Sequence, residues 1–318
     1  PGFGAVSRDS MLLANNILLI VAMAAVLLGT LYPLAMDTLG LGKISVGPPY
    51  FESVFFPLMA PALFLLGIGP IARWRKAELP QIAHRLKWAM AVAVVVALLL
   101  PLTIDGFRPL TSLGLLLSCW IVASAVTVVL DGLRGADGRV ALSRMRLMSP
   151  SLWGMHLAHV GVAAFVFGVT MVNSYETEID GRVEVGQAIT VDGYSVRLDR
   201  LTDVKGPNYD AVRGVFTLSH NGQVLSVLHP EKRLYRSNGQ PMTEAAIDRS
   251  LARDVYVSMG EPLGGNAWAV RVHVKPWVNW IWLGCVLMGA GGILAASDRR
   301  YRRAARADVA SRAAVANA

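Results

Sequence analysis

Cysteine is almost missing from this chain. Cys119 and Cys285 are the only two in 318 residues, and both fall inside strongly apolar runs. No CxxC pair and no Cys/His zinc spacing occurs, which excludes a disulfide framework and a structural zinc site and leaves two small apolar core thiols. Fixed-period repeats are absent, which excludes a solenoid. Low-complexity sequence is confined to the Ala/Arg-rich end, from about Arg302 to Ala318, which reads as a frayed tail. The opening PGFGAVSRDS has no initiator Met and no basic start or cleavage site of a signal peptide, so the sequence reads as a piece of a longer protein. Charge is also missing where it would be most telling: no Asp, Glu, Lys or Arg occurs from Ser149 to Asn173.

What the chain has in abundance is apolar sequence. Hydrophobic residues make up 54% of it and the mean hydropathy is +0.46, too high for an ordinary soluble domain. They are bunched near 11–36, 53–72, 87–102, 110–130, 151–173 and 276–296, runs about long enough to cross a hydrocarbon core of ~30 Å. In lipid the backbone must satisfy its own hydrogen bonds, so the runs predict about six transmembrane helices.

The net charge of +8 suggests a nucleic-acid binder until its placement is read. Arg73, Arg75, Lys76, Arg85 and Lys87 crowd one loop, and Arg134, Arg139, Arg144 and Arg146 another. Arg299, Arg300, Arg302, Arg303 and Arg306 follow the last span, whereas the alternate loops hold only Lys43 and Arg108. Positive loops stay cytoplasmic, so both ends lie inside and loops 37–52 and 103–109 lie outside. The basic tail is then a topology signal with lipid contact, and no nucleic-acid partner is expected.

By the same alternation residues 174–275 lie outside, in a bacterium the periplasm of the inner membrane. There the pattern changes to period-two runs: VEVGQAITVDGYSVRLDR, GVFTLSHNGQVLSVLHPEKRLYR, DVYVSMG and WAVRVHVKP. The punctuation VDGY, SHNGQ and GGNA marks tight turns, with Asn221-Gly222 a strong hairpin signal. The expected fold is a polytopic α-helical membrane protein with an inserted small antiparallel β domain. Its parts are 1–173 (five spans), 174–275 (β domain), 276–297 (last span) and 298–318 (basic cytoplasmic tail). Within the β domain, MTEAAIDRSLARD (Met242 to Asp254) predicts a short helix with Thr243 as N-cap.

Three sets of residues are candidates for function. In loop 42–53, Gly47-Pro48-Pro49-Tyr50 predicts a stiff, extended backbone, either an interface anchor through its aromatics or a ligand-facing loop. In WGMHLAHVGVAAFVFG, His156 and His159 stand one turn apart within the fifth span. Ionisable groups at that depth face a cavity, a partner or a metal, so an interhelical hydrogen bond, a proton relay and haem-iron ligation compete. The surrounding Gly161, Ala163, Ala164 and Gly168 would admit either a close helix or a flat macrocycle. His84, His220, His229 and His273 are scattered and read as solvated or packing residues. Lastly, Lys205, Tyr209, Lys232, Arg233, Tyr235 and Arg236 form a basic, aromatic set on the β domain suited to a protein partner.

Several segments in order resemble the CcmF family, the large membrane subunits of cytochrome c haem lyase. They are SRDSMLLANNILL (7–19), GTLYPL (29–34), ISVGPPYF (44–51), WGMHLAHVGVA (153–163), KGPNYDAVRG (205–214), HPEKRLYRSNGQPMTEAAI (229–247) and DRRYR (298–302). Order and spacing fit the family's C-terminal half, and the nitrite-reductase-assembly (NrfE) relatives share the architecture. The resemblance implies cytochrome c maturation, in which haem from a periplasmic chaperone is presented to apocytochrome c for thioether attachment. It implies a membrane haem b whose one axial ligand lies in A-H-x-G, here Ala158-His159-Val160-Gly161, leaving His156 outside the pattern. The family's tryptophan-rich segment, its second membrane ligand and its periplasmic haem-binding histidines belong upstream and are not in this sequence. The remaining N-terminal half, the haem chaperone, the apocytochrome c-handling subunit, apocytochrome c and membrane lipid are the implied partners. No catalytic acid or base is assigned. A non-catalytic scaffold docking the same partners is the alternative, and a transporter is disfavoured because no span is broken around a charged site.

Overall fold

A computed structural model describes residues 4, 6–104, 106–134 and 139–298. Beyond Asp298, the expected basic tail lies outside the described residues. Among those described, six helices are long and apolar enough to cross a membrane: α1 (Arg8–Thr38), α2 (Pro48–Ile68), α3 (Leu79–Ile104), α4 (Pro109–Leu133), α5 (Pro150–Tyr175) and α6 (Asn279–Ala296). The expected six spans are therefore present, and the chain is a multi-pass membrane protein.

Local chemistry sets where the helices start. Ser7 caps α1, its hydroxyl accepting from the Ser10 N–H at 3.1 Å, with Asp9 in the first turn. Pro48, Pro80, Pro109 and Pro150 each fall in the first two positions of a helix, where a missing N–H costs nothing. This corrects the reading of Gly47-Pro48-Pro49-Tyr50 as extended backbone: Gly47 is the cap, and both prolines belong to the first turn of α2. It also lengthens the third span, since α3 begins eight residues before the apolar run and carries His84 and Arg85 on a helical overhang. Hydropathy marks only the part of a helix that lipid requires to be apolar. Arg85 there forms a 2.6 Å ion pair with Asp131 of α4.

The chain forms two compact units. The first holds residues 1–166 and 284–318. In it the stretch before α1 binds the loop after α2, with Gly4 N–H to Arg75 O at 2.7 Å, Arg8 N–H to Arg73 O at 2.9 Å and Ala77 N–H to Val6 O at 2.8 Å. Those bonds put the start of α1 and the end of α2 at one end of the helices. Side chains hold α1, α2 and α4 closely. Tyr50 donates to the Ala25 carbonyl at 3.0 Å, and Trp120 donates to that of Phe64 at 2.9 Å while stacking on its ring. Ser124 caps the Gly67 carbonyl in the same seam. Ala22 and Gly29 are the buried residues of α1, so most of its Leu, Ile and Val side chains face outward, as a lipid-bathed helix requires.

The second unit, residues 167–283, is a β sandwich. Its strands are β1 (Thr177–Glu184), β2 (Ala188–Val191), β3 (Tyr194–Lys205), β4 (Tyr209–His220), β5 (Gln223–Leu228), β6 (Glu231–Tyr235), β7 (Pro241–Glu244), β8 (Ala246–Arg249), β9 (Arg253–Pro262) and β10 (Ala267–Pro276). One sheet runs β1-β10-β9-β8 and the other β2-β3-β4-β6-β7, with β5 also paired to β4. Val196, Leu198, Phe216, Leu218, Val255, Val257, Met259 and Val272 form the core between them, at zero exposure. The expected turns are present. Asp192-Gly193 and Asn221-Gly222 have positive φ at both central residues, the geometry that matches strand twist.

The helix expected over Met242 to Asp254 is not formed. Met242, Thr243 and Glu244 pair instead with Arg233, Lys232 and Glu231, and β8 pairs with β9. Thr243 is no N-cap: its hydroxyl accepts from Lys232 and donates to the Met259 carbonyl. Tertiary pairing thus overrides a helix-favouring composition.

Candidate functional site

The face that α5 turns toward α6 is set by glycine. A Cβ on Gly154 would stand 2.5 Å from the backbone of Gly291 and Ala295, and one on Gly161 would stand 2.7 Å from that of Gly284 and Met288. The small residues beside the histidines therefore admit a neighbouring helix. His156 and His159 lie on the far side of α5 from that seam, about 60° apart around the helix.

Those 60° separate two environments. His156 shares its side of α5 with Ala163, whose carbonyl accepts from Ser118 of α4 at 2.8 Å. It is only 5% exposed, and neither ring nitrogen has a hydrogen-bond partner among the described residues. His159 lines a cavity of about 250 Å³. Arg8, Met11, Leu12 and Asn15 of α1, Leu65 and Leu66 of α2 and Met155 of α5 are its other main walls.

A haem needs an imidazole donor, flat apolar walls and room. His159 offers the donor, and the Leu and Met side chains offer the walls. The cavity is smaller than a whole tetrapyrrole and lies below the usual range for cofactor sites, so these residues fit one side of the group. Among the described residues no cluster of three or more His, Cys, Asp or Glu side chains could hold a bare metal ion.

The loop candidates fall elsewhere. Tyr50 is wedged against α1, where a Cβ on Gly29 would stand 2.5 Å from its ring. The docking candidates sit around β4 and β6 and are largely paired with one another. Arg233 binds the buried Glu231 at 2.8 Å and Glu244 at 2.9 Å, with its guanidinium 4.5 Å above the Tyr209 ring. Tyr209 and Tyr235 meet edge to face. Lys232 binds Glu261 at 2.8 Å, and Arg236 reaches Asp210 at 2.9 Å. Lys205 is exposed and stands opposite Asp210 in the register of β3 and β4, where its charge also favours the ionised carboxyl.

The charges are tuned accordingly. Burial alone would raise the Glu231 pKa, but hydrogen bonds from Arg233 and Arg213 outweigh it and hold the carboxyl below its ordinary range. The Arg236 hydrogen bond does the same for Asp210. Of the scattered histidines, His220 stacks on Tyr194 and His273 lies 2.9 Å from Glu176.

Of the cavity residues only His159 was singled out from the sequence, and the polar pair Arg8 and Asn15 was missed. The signal was there: Arg8, Met11, Leu12 and Asn15 follow the i, i+3, i+4, i+7 spacing of one helix face.

Comparison with known proteins agrees with this architecture. The family profile described as the CcmF C-terminal beta-sandwich matches residues 174–276. The cytochrome c-type biogenesis protein CcmF of Pseudomonas aeruginosa is 42% identical over 301 residues, 95% of this chain and 45% of that protein. Its counterpart in Escherichia coli is 40% identical over 298 residues, 93% of this chain and 45% of that protein. NrfE of Haemophilus influenzae is more distant, at 29% identity over 308 residues, with coverage of 95% and 46%. The solved structure of a cytochrome c haem lyase CcmF shares the fold with a TM-score of 0.72 at 22% identity, covering 92% of this chain and 46% of that one. The chain thus spans less than half the length of the curated relatives it matches.

Proposed function

Because the chain belongs to the CcmF family, we propose that it forms part of a cytochrome c haem lyase and holds one side of a membrane haem b through His159. The observation that carries this reading is the difference between the two histidines: His159 lines the cavity, whereas His156 is buried away from it. When bound, the haem supplies a one-electron redox centre. The chain's own work is then threefold. His159 gives a nitrogen lone pair to the iron, Met155, Leu65 and Leu66 keep water from it, and the glycine seam fixes α5 so that the imidazole does not drift. A second ligand to the iron would come from outside this chain.

The β sandwich is read as a periplasmic platform for the haem chaperone or the apocytochrome-handling subunit. The excess of Lys and Arg in segments 73–87 and 134–146 supports that orientation, because positive segments stay cytoplasmic. Thioether formation between cysteine sulfur and haem vinyl gains most from holding the two in register, worth ~7–11 kcal/mol for oriented reactants, so no acid or base is assigned here.

The test is spectroscopic. In the purified full-length protein, His159→Ala should abolish the b-type absorbance, whereas His156→Ala should keep most of it. A colourless His156 variant beside a red His159 variant would move the ligand one turn along α5.

A further inference from the structure

We propose that Arg8 binds a carboxylate on the edge of the haem that His159 ligates, making the start of α1 the anionic-group end of the cofactor cavity. This rests on the haem reading above and extends it to a second residue of the chain.

Arg8 and His159 line the same cavity, from α1 and α5 respectively, and Met11, Leu12, Leu65 and Leu66 give it apolar wall. That set of groups matches the chemistry of a haem, which has a metal, a flat hydrocarbon ring and carboxylates on one edge. Arg8 is half-buried and, among the described residues, pairs with no carboxylate. Its neighbour Asp9 is already engaged, accepting from the Arg75 N–H at 2.9 Å.

Its orientation is also fixed in advance. The guanidinium carbon lies 4.7 Å from the centre of the Trp74 ring, and three backbone bonds tie the residues around Arg8 to the loop that carries Trp74. Stacking on one face leaves the in-plane N–H fork open, the edge that binds carboxylate with two parallel hydrogen bonds. Lysine would supply the charge without the fork.

The test uses the purified full-length holoprotein with Arg8→Gln and Arg8→Lys, and two probes, haem and its dimethyl ester. Haem release to excess apomyoglobin should be at least tenfold faster in Arg8→Gln, with partial rescue in Arg8→Lys. The midpoint potential of Arg8→Gln should fall, because a nearby cation favours the more electron-rich reduced form. The ester, lacking the carboxylates, should leave wild type and Arg8→Gln at the same rate. Unchanged release and potential in Arg8→Gln, with His159→Ala colourless, would overturn the Arg8 assignment and leave the haem reading standing. Haem retained by His159→Ala would overturn the haem reading itself. Equal acceleration for haem and ester would mean that Arg8 only braces the helices. Altered co-purification of anionic phospholipid, with haem unaffected, would assign the guanidinium to a lipid phosphate; either result refutes the carboxylate contact.

Discussion

Two neighbouring glycines on α6 should respond to the same substitution in opposite directions. A Cβ on Gly291 would stand 2.6 Å from the Ala158 nitrogen and the Gly154 oxygen, both backbone atoms of α5. That is roughly 0.9 Å short of a favourable non-bonded contact, and no rotamer change can relieve it. The helices must separate, and a gap near 1 Å forfeits a quarter to a half of the dispersion energy of each contact along the seam. Gly291→Ala should therefore destabilise the helix pair by about 1–3 kcal/mol. One residue on, a Cβ at Gly292 meets nothing within 4 Å. There the alanine acts only through helix propensity, a gain of about 0.5–1 kcal/mol. Unfolding in mixed micelles titrated with dodecyl sulfate, followed by tryptophan fluorescence, should thus separate the two variants by about 1.5–4 kcal/mol. Variants within 0.5 kcal/mol of each other would refute the close seam.

Charge at Glu231 should give the sandwich an acid-sensitive stability. Its folded pKa is depressed, so the stabilisation is complete above the unfolded carboxyl value near 4.5 and is lost as pH falls through the lower folded value; Glu231→Gln should flatten that slope in a pH series of thermal melts. At neutral pH Glu231→Ala should cost about 2–3 kcal/mol, read by urea denaturation. Replacing Gly222, at φ +79°, with Val should cost about 1–2 kcal/mol by the same assay. Lys205→Gln should leave stability within about 0.5 kcal/mol while weakening co-purification of an assembly partner, whereas reversing Lys232 and Arg233 should destabilise the sheet edge by stranding the buried Glu231. The Pro48→Ala, Pro49→Ala double variant should keep haem b and change stability by under about 1 kcal/mol, so a maturation defect in it would speak for a ligand-facing role at the start of α2.

Much of this was legible in the sequence, for identifiable reasons. Lipid imposes helices wherever about twenty apolar residues run together, and Asn221-Gly222 or Asp192-Gly193 can do little but turn. Strands β7 and β8 were not legible because MTEAAIDRSLARD favours a helix by composition, and only its pairing with β6 and β9 holds it extended. Nor could one helical wheel distinguish His156 from His159. Both avoid the glycine face, and only the positions of α1, α2 and α4 decide which of them lines a cavity. The seven-residue spacing of Gly154, Gly161 and Gly168, matched by Gly284 and Gly291, was visible in the sequence, yet its meaning depends on which helix lies opposite.

The pairing of β1 with β10 has a consequence for assembly. α5 ends at Tyr175 and α6 starts at Asn279, so in the unfolded chain a loop of about a hundred residues must close before their glycines meet. In the folded sandwich Thr177 and Val274 are direct cross-strand partners, one short step from the ends of the two helices. Loop-closure entropy rises with the logarithm of length, so shrinking the effective loop from about a hundred residues to a few removes about 3 kcal/mol from the cost of docking α6. The sandwich is then a folding staple for the membrane, converting a distant helix contact into a nearly local one. On this view α6 is released from synthesis with its partner already held within reach, and damage to the sandwich first shows as a last helix that fails to find α5.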